Sequence, residues 1–386
     1  MASANLWDIF CKVVDNYGDI GVCWRLAADL ASRGRRVRLW VDDPRALGWM
    51  APGAANGSWP GVEVLGWDRA HARPFVSGLA PADVWVEGFG CDIPEPMVQC
   101  RFNDATGERP HVAKPAWINL EYLSAQLYAE RSHGLPSPVL RGPAAGHTRY
   151  FFFPGFSECT GGLLREPDLA SRQAAFDRGR WLAEQGVAWR GERLICLFCY
   201  EPTALAQLLH HLATGPVATR LLITTGRAAG AVQQISSAAG VSCLPQSFGA
   251  GDALSIHYLR ALSQLDFDHL LWACDLNFVR GEDSLVRAIW ARKPFVWQAY
   301  PQDDDAHRDK VEALLNVFDA PPSWRAFHRT WNGYGSDILH TPEPAEWARS
   351  LAPAQKSLAG ASDLTTRLLR FVETVRPGFA GDPEKR

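Results

Sequence analysis

The sequence predicts an α/β fold made of two doubly wound domains that face a cleft, each built around a mainly parallel sheet. Short apolar runs alternate with helical patterns along the chain, as successive βαβ units require. The chain has 386 residues, more than one hydrophobic core usually holds, and 47% of them are hydrophobic, which is enough for two cores. A stretch rich in glycine and proline, from Gly134 to Gly146, is expected to be a loop.

The first series predicts an N-terminal domain over residues 1–165. It opens with an apolar run from Leu6 to Val14, typical of a strand, and continues with a helical pattern from Ile20 to Ser32. The domain is expected to close near residues 153–162. Further apolar runs of strand length occur at Val37–Val41, Val62–Leu65, Val84–Glu87 and Ala116–Leu120.

The second series predicts a C-terminal domain over residues 166–354, entered through a helical connector from Asp168 to Gln185. The apolar spacing from Pro353 to Val375 predicts a further helix, about residues 355–376, that crosses back onto the N-terminal domain. The strands expected in the second domain are Arg193–Tyr200, Arg220–Thr224, Val241–Pro245, Leu276–Val279 and Pro294–Trp297.

Composition and charge argue against several classes of protein. A formal net charge of −3 does not fit a nucleic-acid binder that relies on a broad basic surface. The chain shows no secretion-signal pattern and no apolar run long enough to span a bilayer, so we expect a cytoplasmic protein with no membrane partner. Nine cysteines, an odd number, fit reduced buried thiols better than a disulfide framework. Cys196 and Cys199 have redox-motif spacing, but their strand-like setting favours a structural role.

The turn Arg280-Gly281-Glu282-Asp283-Ser284 follows an apolar strand and opens a helical pattern. Glycine permits the bend, and the backbone N–H groups of a helix start bind anions. Arg280 adds a guanidinium suited to phosphate, whereas Glu282 would be repelled there unless it contacts a sugar hydroxyl or a cation. The alternative is an ordinary helix capped by Asp or Ser, with a surface salt bridge.

The turn after the first strand reads Asp15-Asn16-Tyr17-Gly18-Asp19. It lacks the G-x-G-x-x-G spacing of dinucleotide-binding folds, and the chain contains no P-loop motif. Ligands of open α/β sheets bind at the carboxyl ends of the strands, where this turn lies. Two carboxylates would repel a phosphate, so we expect them to meet a cation or a proton donor. Asp19 can instead cap the following helix, and these residues alone leave both possibilities open.

Four segments are specific when taken together: Asp8–Gly21 (DIFCKVVDNYGDIG), Phe198–Glu201 (FCYE), Arg280–Ser284 (RGEDS) and Tyr300–Gln302 (YPQ). They resemble the EarP family, bacterial rhamnosyltransferases that modify an arginine of translation elongation factor P, and the resemblance covers nearly the whole chain. It implies a GT-B fold of two Rossmann-like domains, with the nucleotide sugar held mostly by the second. It also implies dTDP-β-L-rhamnose as donor, elongation factor P as acceptor, inversion at the anomeric carbon, and neither cofactor nor metal ion. The modified factor would then be active in rescuing ribosomes stalled at polyproline.

The resemblance implies roles for donor-side residues of the second domain. Glu282 matches an essential acid near the sugar and the diphosphate, and Gly281 and Gln302 belong to the substrate-binding set. The residues implied around the diphosphate are Arg280, Asp283, Ser284 and Tyr300. The residues implied at the nucleoside are Phe198, Tyr200 and Phe267, whose rings stack on thymine, and Gln264, which reads its edge.

Asp15 and Asp19 match a pair of essential aspartates on the acceptor side, and Asn16, Tyr17 and Gly18 between them are implied to bind substrate. An arginine side chain is protonated at physiological pH and its lone pairs are delocalised, so it is a poor nucleophile. Two carboxylates can hold the guanidinium and remove a proton as the nitrogen attacks. We assign Asp19 as the general base and Asp15 as the orienting partner, although the two roles can be exchanged.

Other interpretations of the sequence remain. The acidic run Asp303–Asp305 allows a metal site, but adjacent acids point in different directions and more simply begin a helix. A GT-B glycosyltransferase with another nucleotide sugar, such as a UDP-sugar, and a small-molecule or glycan acceptor is a second enzymatic possibility. A non-catalytic binder of a translation factor is a third, against which the presence of Asp15, Asp19 and Glu282 argues.

Overall fold

The computed structural model describes residues 5–14, 17–102, 113–238, 253–301 and 305–376. Two compact units make up the chain: unit 1 is Met1–Glu166 together with Ala361–Arg386, and unit 2 is Pro167–Gly360. The chain returns to unit 1 at Ala361, whereas the sequence placed that return near residue 355. Each unit has an α/β architecture with its own sheet, which confirms the predicted fold class.

Unit 1 has a sheet whose described strands are β1 (Leu6–Cys11), β2 (Arg36–Val41), β3 (Val62–Gly66), β4 (Val84–Gly88), β5 (Ala116–Leu120), β6 (Pro136–Pro138) and β7 (Thr148–Phe152). Their order is β3-β2-β1-β4-β5-β7-β6, and every neighbouring pair is parallel except β6 with β7. The helices before unit 2 are α1 (Gly18–Ser32), α2 (Leu47–Met50), α3 (Trp67–His71), α4 (Arg73–Ser77), α5 (Glu95–Phe102) and α6 (Leu127–Ser132).

The sheet of unit 1 carries a hydrophobic core on each face, as a doubly wound fold requires. Side chains alternate along β1, so Ile9 belongs to one core and Phe10 to the other. Residues of α1 fill the first core, and residues of α3, α4 and α5 fill the second. The two faces are therefore closed by different segments of the chain, and the loops at the strand ends remain for ligand binding.

Unit 2 has a second, fully parallel sheet among its described strands, in the order β10-β9-β8-β11-β12. These strands are β8 (Arg193–Leu197), β9 (Thr219–Ile223), β10 (Leu254–Tyr258), β11 (Leu276–Arg280) and β12 (Phe295–Gln298). The helices of unit 2 are α7 (Leu169–Ala174), α8 (Arg178–Glu184), α9 (Leu205–Thr214), α10 (Arg227–Ala238), α11 (Gln264–Ala273), α12 (Glu282–Ala291), α13 (Ala306–Val317), α14 (Pro322–Trp331) and α15 (Pro344–Gly360).

The C-terminal region contains two helices where the sequence predicted one. The second of them, α16 (Leu364–Val375), has Asp363 as its N-cap residue, whose carboxylate accepts a hydrogen bond from the Thr366 N–H at 2.9 Å. This helix belongs to unit 1, where Asp363 also pairs with Arg33 at 2.7 Å. The guanidinium of Arg367 donates to the carbonyl oxygen of Thr160 at 2.8 Å. Capping at Asp363 explains why the helical pattern breaks into two pieces.

Several predicted strands differ in detail. The first strand ends at Cys11 rather than Val14, because the N–H groups of Val13 and Val14 donate to the carboxylates of Asp42 and Asp19 instead of a neighbouring strand. The strands β6, β7 and β10 were not predicted. The predicted strand at Val241–Pro245 lies outside the described residues. Of the helices that the structure describes, none has both the length and the apolar character needed to cross a bilayer.

Candidate active site

Four parallel strands of unit 2, in the order β9-β8-β11-β12, end at the same edge of the sheet. The loops that follow these strands therefore lie side by side, at the position where open α/β sheets bind ligands. We call this the donor edge. Predicted binding residues lie in or beside these loops, namely Phe198, Tyr200, Arg280, Gly281 and Tyr300.

The strand–glycine–helix turn predicted at Arg280 is confirmed. The strand β11 ends at Arg280, Gly281 adopts φ 69°, and α12 begins at Glu282. Gly281 is the N-cap residue, so the predicted alternative of a helix capped by an Asp or Ser side chain is not what forms. The Ser284 hydroxyl instead donates to the carbonyl oxygen of Arg280, which closes the first turn of the helix. The indole N–H of Trp297 donates to the carbonyl oxygen of Gly281 at 2.9 Å and fixes the bend.

Arg280 is a buried cation. Its side chain lies over two aromatic rings, 4.8 Å from the centroid of Phe198 and 4.5 Å from that of Tyr200. Only 7% of the residue is exposed, and within the described part of the chain its Nη1 atom has no hydrogen-bond partner. An unpaired polar group in such a place is costly, and the rings compensate only part of the cost. This geometry fits an anionic ligand that completes the hydrogen bonds of the guanidinium.

Aromatic rings surround this cation. Phe198 meets Phe267 edge to face at a centroid distance of 5.2 Å, and Tyr200 meets Tyr300 in the same way at 5.6 Å. Phe267 lies in the first turn of α11, the helix that starts at Gln264. Phe198 and Phe267 are half-buried and Tyr300 is exposed, so these rings can receive a flat base.

Hydrogen bonds from β12 and α14 support the donor edge from below. The side-chain oxygen of Gln298 accepts from the N–H of Tyr200 at 2.8 Å. His328 is fully buried; its Nε2 accepts from the N–H of Trp297 at 3.0 Å, and its Nδ1 donates to the carbonyl oxygen of Trp324 at 3.1 Å. Burial lowers the pKa of His328 to about 4, so the ring is neutral at physiological pH and keeps both bonds.

Two residues to which the sequence analysis gave no role, Arg227 and Glu201, also lie at the donor edge. Arg227 places its guanidinium carbon 5.0 Å from the centroid of Tyr200, and its Nε donates to Oε1 of Glu201 at 2.7 Å. Arg227 follows Gly226, which has φ 91°, at the start of α10. The sequence did contain a signal for Arg227. The apolar run that ends at Ile223 is followed by Gly226 and a helical pattern, which is the same strand–glycine–helix order as in the Arg280 turn.

On unit 1, Asp19 lies at the carboxyl end of β1. It sits in the first turn of α1, is 2% exposed, and accepts a hydrogen bond from the N–H of Val14 at 2.8 Å. The N-cap residue of that helix is Tyr17, whose side chain makes no capping hydrogen bond. Asp19 is therefore not the N-cap residue, and its hydrogen bond with Val14 holds the preceding loop. The helix begins at Gly18. The ring of Tyr17 is exposed and meets Trp49 edge to face at 5.1 Å.

The strands β4 and β5 end beside β1 on the same edge, which we call the acceptor edge. Phe89, a non-glycine residue at φ 57°, stacks on the exposed Tyr122 at 4.5 Å. Burial raises the pKa of the neighbouring Glu121, while a hydrogen bond from Asn119 at 2.8 Å acts in the opposite direction. A bulky residue held at positive φ is a local strain, and such positions are often functional.

Comparison with known proteins identifies the family. A family model described as "Elongation-Factor P (EF-P) rhamnosyltransferase EarP" matches residues 7–373. The chain belongs to the EarP family. A protein-arginine rhamnosyltransferase of Pseudomonas aeruginosa is 40% identical over 387 residues, which cover 95% of this chain and 98% of the relative. A protein-arginine rhamnosyltransferase of Pseudomonas putida is 41% identical over 399 residues, with the same shares.

A solved structure with the same family name also matches. It is described as "Structural basis for EarP-mediated arginine glycosylation of translation elongation factor EF-P" and superposes with a TM-score of 0.61 and 29% sequence identity. The match covers 96% of this chain and 99% of the other. This likeness and the two mainly parallel sheets show that the chain has the GT-B fold that the resemblance implied.

The structure groups the donor-side residues implied by the EarP resemblance without testing their roles. The turn residues Gly281, Glu282, Asp283 and Ser284 follow Arg280 directly, and Gln264 starts the helix that carries Phe267. Asp15, Asn16 and Gln302 lie outside the described residues. So do Asp303 and Asp304, while Asp305 is the N-cap residue of α13.

The cysteines and metal-binding side chains complete the description. Burial raises the pKa of Cys199 to about 12 and that of Cys196 well above its ordinary value, which disfavours the reactive thiolate in both. In the parts of the chain that the structure describes, no three His, Cys, Asp or Glu side chains form a group that could hold a metal ion. The absence of a metal from the reaction stays a prediction.

Proposed function

We propose that this protein transfers L-rhamnose from dTDP-β-L-rhamnose to one arginine side chain of elongation factor P, with inversion and without a metal ion. Membership in the EarP family supports the reaction class and the acceptor protein. The observation that carries the donor half is the buried Arg280, whose Nη1 has no hydrogen-bond partner in the described structure and which lies over Phe198 and Tyr200. A nucleoside diphosphate supplies both an anion for the cation and a flat base for the rings.

The donor edge fits a leaving group that gains negative charge. As the bond from the anomeric carbon to the diphosphate oxygen breaks, charge grows on the phosphate. Arg280 and the N-terminus of α12 are fixed in place before the reaction, so they stabilise this charge without reorganising. Asp283, Ser284 and Tyr300 complete the proposed diphosphate site. Glu282, the first residue of α12, is proposed to contact the sugar.

The acceptor edge fits a guanidinium. Asp19 is proposed as the general base and Asp15 as the residue that orients the arginine. The nitrogen lone pair of the acceptor forms a bond to the anomeric carbon while the bond to the diphosphate breaks, and the proton leaves that nitrogen for the Asp19 carboxylate. Attack opposite the leaving group inverts the anomeric carbon. A carboxylate is a weak base for this proton, so proton removal accompanies the attack and positioning supplies much of the acceleration.

The experiment that tests this proposal is the intact mass of elongation factor P after incubation with the protein and dTDP-β-L-rhamnose, with dTDP-glucose as control donor. We expect a gain of one deoxyhexose, mapped to a single arginine, with rhamnose and none with glucose. Complex formation without a mass change would favour the non-catalytic binder. Tighter calorimetric binding of a UDP-sugar than of dTDP-rhamnose would favour a different donor.

A further inference from the structure

The donor edge contains a second arginine whose position parallels that of Arg280. The strand β9 ends at Ile223, Gly226 takes φ 91°, and α10 starts with Arg227. At the next strand but one, β11 ends with Arg280 and Gly281 takes φ 69° before α12. Both turns use glycine to bring an arginine and a helix N-terminus to the same edge of one sheet.

Both arginines lie over the same ring. The guanidinium carbon of Arg280 is 4.5 Å from the centroid of Tyr200, and that of Arg227 is 5.0 Å from it. Two cations so close to one ring repel each other, and the ring quadrupole compensates only part of this repulsion. An anion between or beside them lowers the energy of the whole group. In the described structure, the Nη1 atom of Arg280 has no such partner.

Arg227 is paired with the carboxylate of Glu201, but a ligand can replace that carboxylate. Its guanidinium makes two hydrogen bonds with the carboxylate of Glu201, and the side chains of the pair are 42% and 46% exposed. An exposed ion pair contributes little to stability, so its loss is easily offset by a better partner. A diphosphate carries more charge than a carboxylate and more acceptor oxygens, and it accepts the planar fork of arginine equally well.

From these contacts we infer that Arg227 is a second cation of the donor diphosphate site, held over Tyr200 by Glu201 until the diphosphate replaces that carboxylate. The inference rests on the proposed function for the identity of the nucleotide, and it adds a residue that binds the leaving group. Glu201 acts as a stand-in anion in the ligand-free protein. The diphosphate then contacts Arg227 on one turn and Arg280 on the other, both of which lie against the ring of Tyr200.

The test is calorimetric titration of Arg227→Gln with dTDP and with thymidine. We expect the Kd for dTDP to rise about tenfold or more, because charged hydrogen bonds to phosphate are lost, while the Kd for thymidine stays unchanged. Glu201→Gln removes the competing anion, so dTDP should bind about 2- to 5-fold more tightly. Arg180→Gln is the control for removing a surface charge, because Arg180 pairs with Glu184 on α8 in an exposed ion pair of the same unit.

Three results would overturn the inference. The first is that Arg227→Gln binds dTDP as tightly as the Arg180→Gln control. The second is that Arg227→Gln loses affinity for thymidine and for dTDP in equal proportion, which would mean that Arg227 only shapes the aromatic site. Weaker dTDP binding by Glu201→Gln would make Glu201 a support rather than a competitor. If the unmodified protein binds UDP and not dTDP, the proposed donor fails, and the same comparison with UDP and uridine still decides the role of Arg227.

Discussion

The donor edge and the acceptor edge are built in the same way but carry opposite charge. Each lies at the carboxyl ends of parallel strands, where backbone turns lead into helix N-termini. At the donor edge the buried charge is the cation of Arg280, whereas at the acceptor edge it is the carboxylate of Asp19. One architecture therefore prepares a site for an anion or for a cation, depending on the side chain at the turn.

The two charges are also stabilised differently. Asp19 accepts a hydrogen bond from the N–H of Val14, so its own loop provides one of its hydrogen-bond donors. Arg280 lies against aromatic rings and keeps one nitrogen without a hydrogen bond in the described structure. We therefore expect ligand binding to stabilise the donor edge more than it stabilises the acceptor edge.

The largest effect is expected from Asp19→Asn. The amide oxygen can still accept from the Val14 N–H, so the loop is retained, but the side chain can no longer take a proton. We expect kcat for modification of elongation factor P to fall by about 10²- to 10⁴-fold. The measurement is the initial rate by intact mass. The matched control is Asp42→Asn, since the exposed Asp42 accepts from the Val13 N–H of the same loop; an equal loss in both variants would reduce Asp19 to a structural role.

Arg280→Gln should have the next largest effect. Without the cation, the leaving diphosphate loses its main fixed positive charge, and we expect kcat/KM to fall by about 10²- to 10³-fold. Arg280→Lys should recover only part of the rate, because lysine lacks the planar fork. The ligand-free Arg280→Gln protein should melt no lower than the unmodified protein, because a buried guanidinium whose Nη1 atom lacks a hydrogen bond in the described structure has been removed. A clear drop in its Tm would instead mean that Arg280 holds the fold together.

The aromatic part of the donor edge is tested by Phe198→Leu and Phe267→Leu. Each variant keeps an apolar side chain but loses the flat ring, and stacking on a base contributes about 1–3 kcal/mol. We expect the Kd for dTDP to rise by roughly 5- to 150-fold, with thymidine affected in the same proportion. Phe176→Leu is the matched control, since Phe176 stacks on His269 elsewhere in unit 2. Unchanged dTDP binding in Phe198→Leu and Phe267→Leu would show that these rings only pack in the protein and do not contact the base.

The smallest effect concerns the support beneath the donor edge. The pKa of His328 is lowered to about 4 by burial, whereas in the unfolded chain it is near 6.5. Between these values the unfolded state binds the extra proton, so stability falls as pH falls through this window and is fully present above pH 6.5. At pH 5.5 the loss should be about 1.4 kcal/mol relative to neutral pH.

Chemical denaturation of the unmodified protein and of His328→Gln, at pH 7.5 and pH 5.5, measures this contribution as a difference. Glutamine can accept from the Trp297 N–H and donate to the Trp324 carbonyl, as His328 does, but it does not titrate. We expect the pH-dependent loss to be smaller in the variant by about the same 1.4 kcal/mol. Equal losses in the two proteins would show that His328 is not buried as a neutral ring.

The sequence predicted what is local to a stretch of chain. The Arg280 turn was found because strand, glycine and helix are consecutive, and the alternation of apolar runs gave both sheets. The order of strands in each sheet could not be derived, because pairing depends on contacts between distant segments. The strand β7 was missed since it directly follows a loop rich in glycine and proline.

Contacts between residues that follow different strands also could not be predicted from the sequence. Arg227 and Glu201 meet only because β8 and β9 are neighbours in the sheet, and their ion pair has no signature in either segment. The same holds for Phe89 and Tyr122 at the acceptor edge, which follow β4 and β5. By contrast, the family resemblance supplied Phe198 and Phe267, which residue type alone would place in a core. Their nucleoside role stays a proposal.

The measurement that tests the division between the two edges most directly is the Kd for dTDP of Asp19→Asn and Arg280→Gln, determined side by side by calorimetry. If the donor edge alone holds the nucleotide, Asp19→Asn binds dTDP as tightly as the unmodified protein, while Arg280→Gln binds at least about tenfold more weakly. Equal weakening of dTDP binding in both variants, or weakening in Asp19→Asn alone, would show that the acceptor edge also holds the nucleotide.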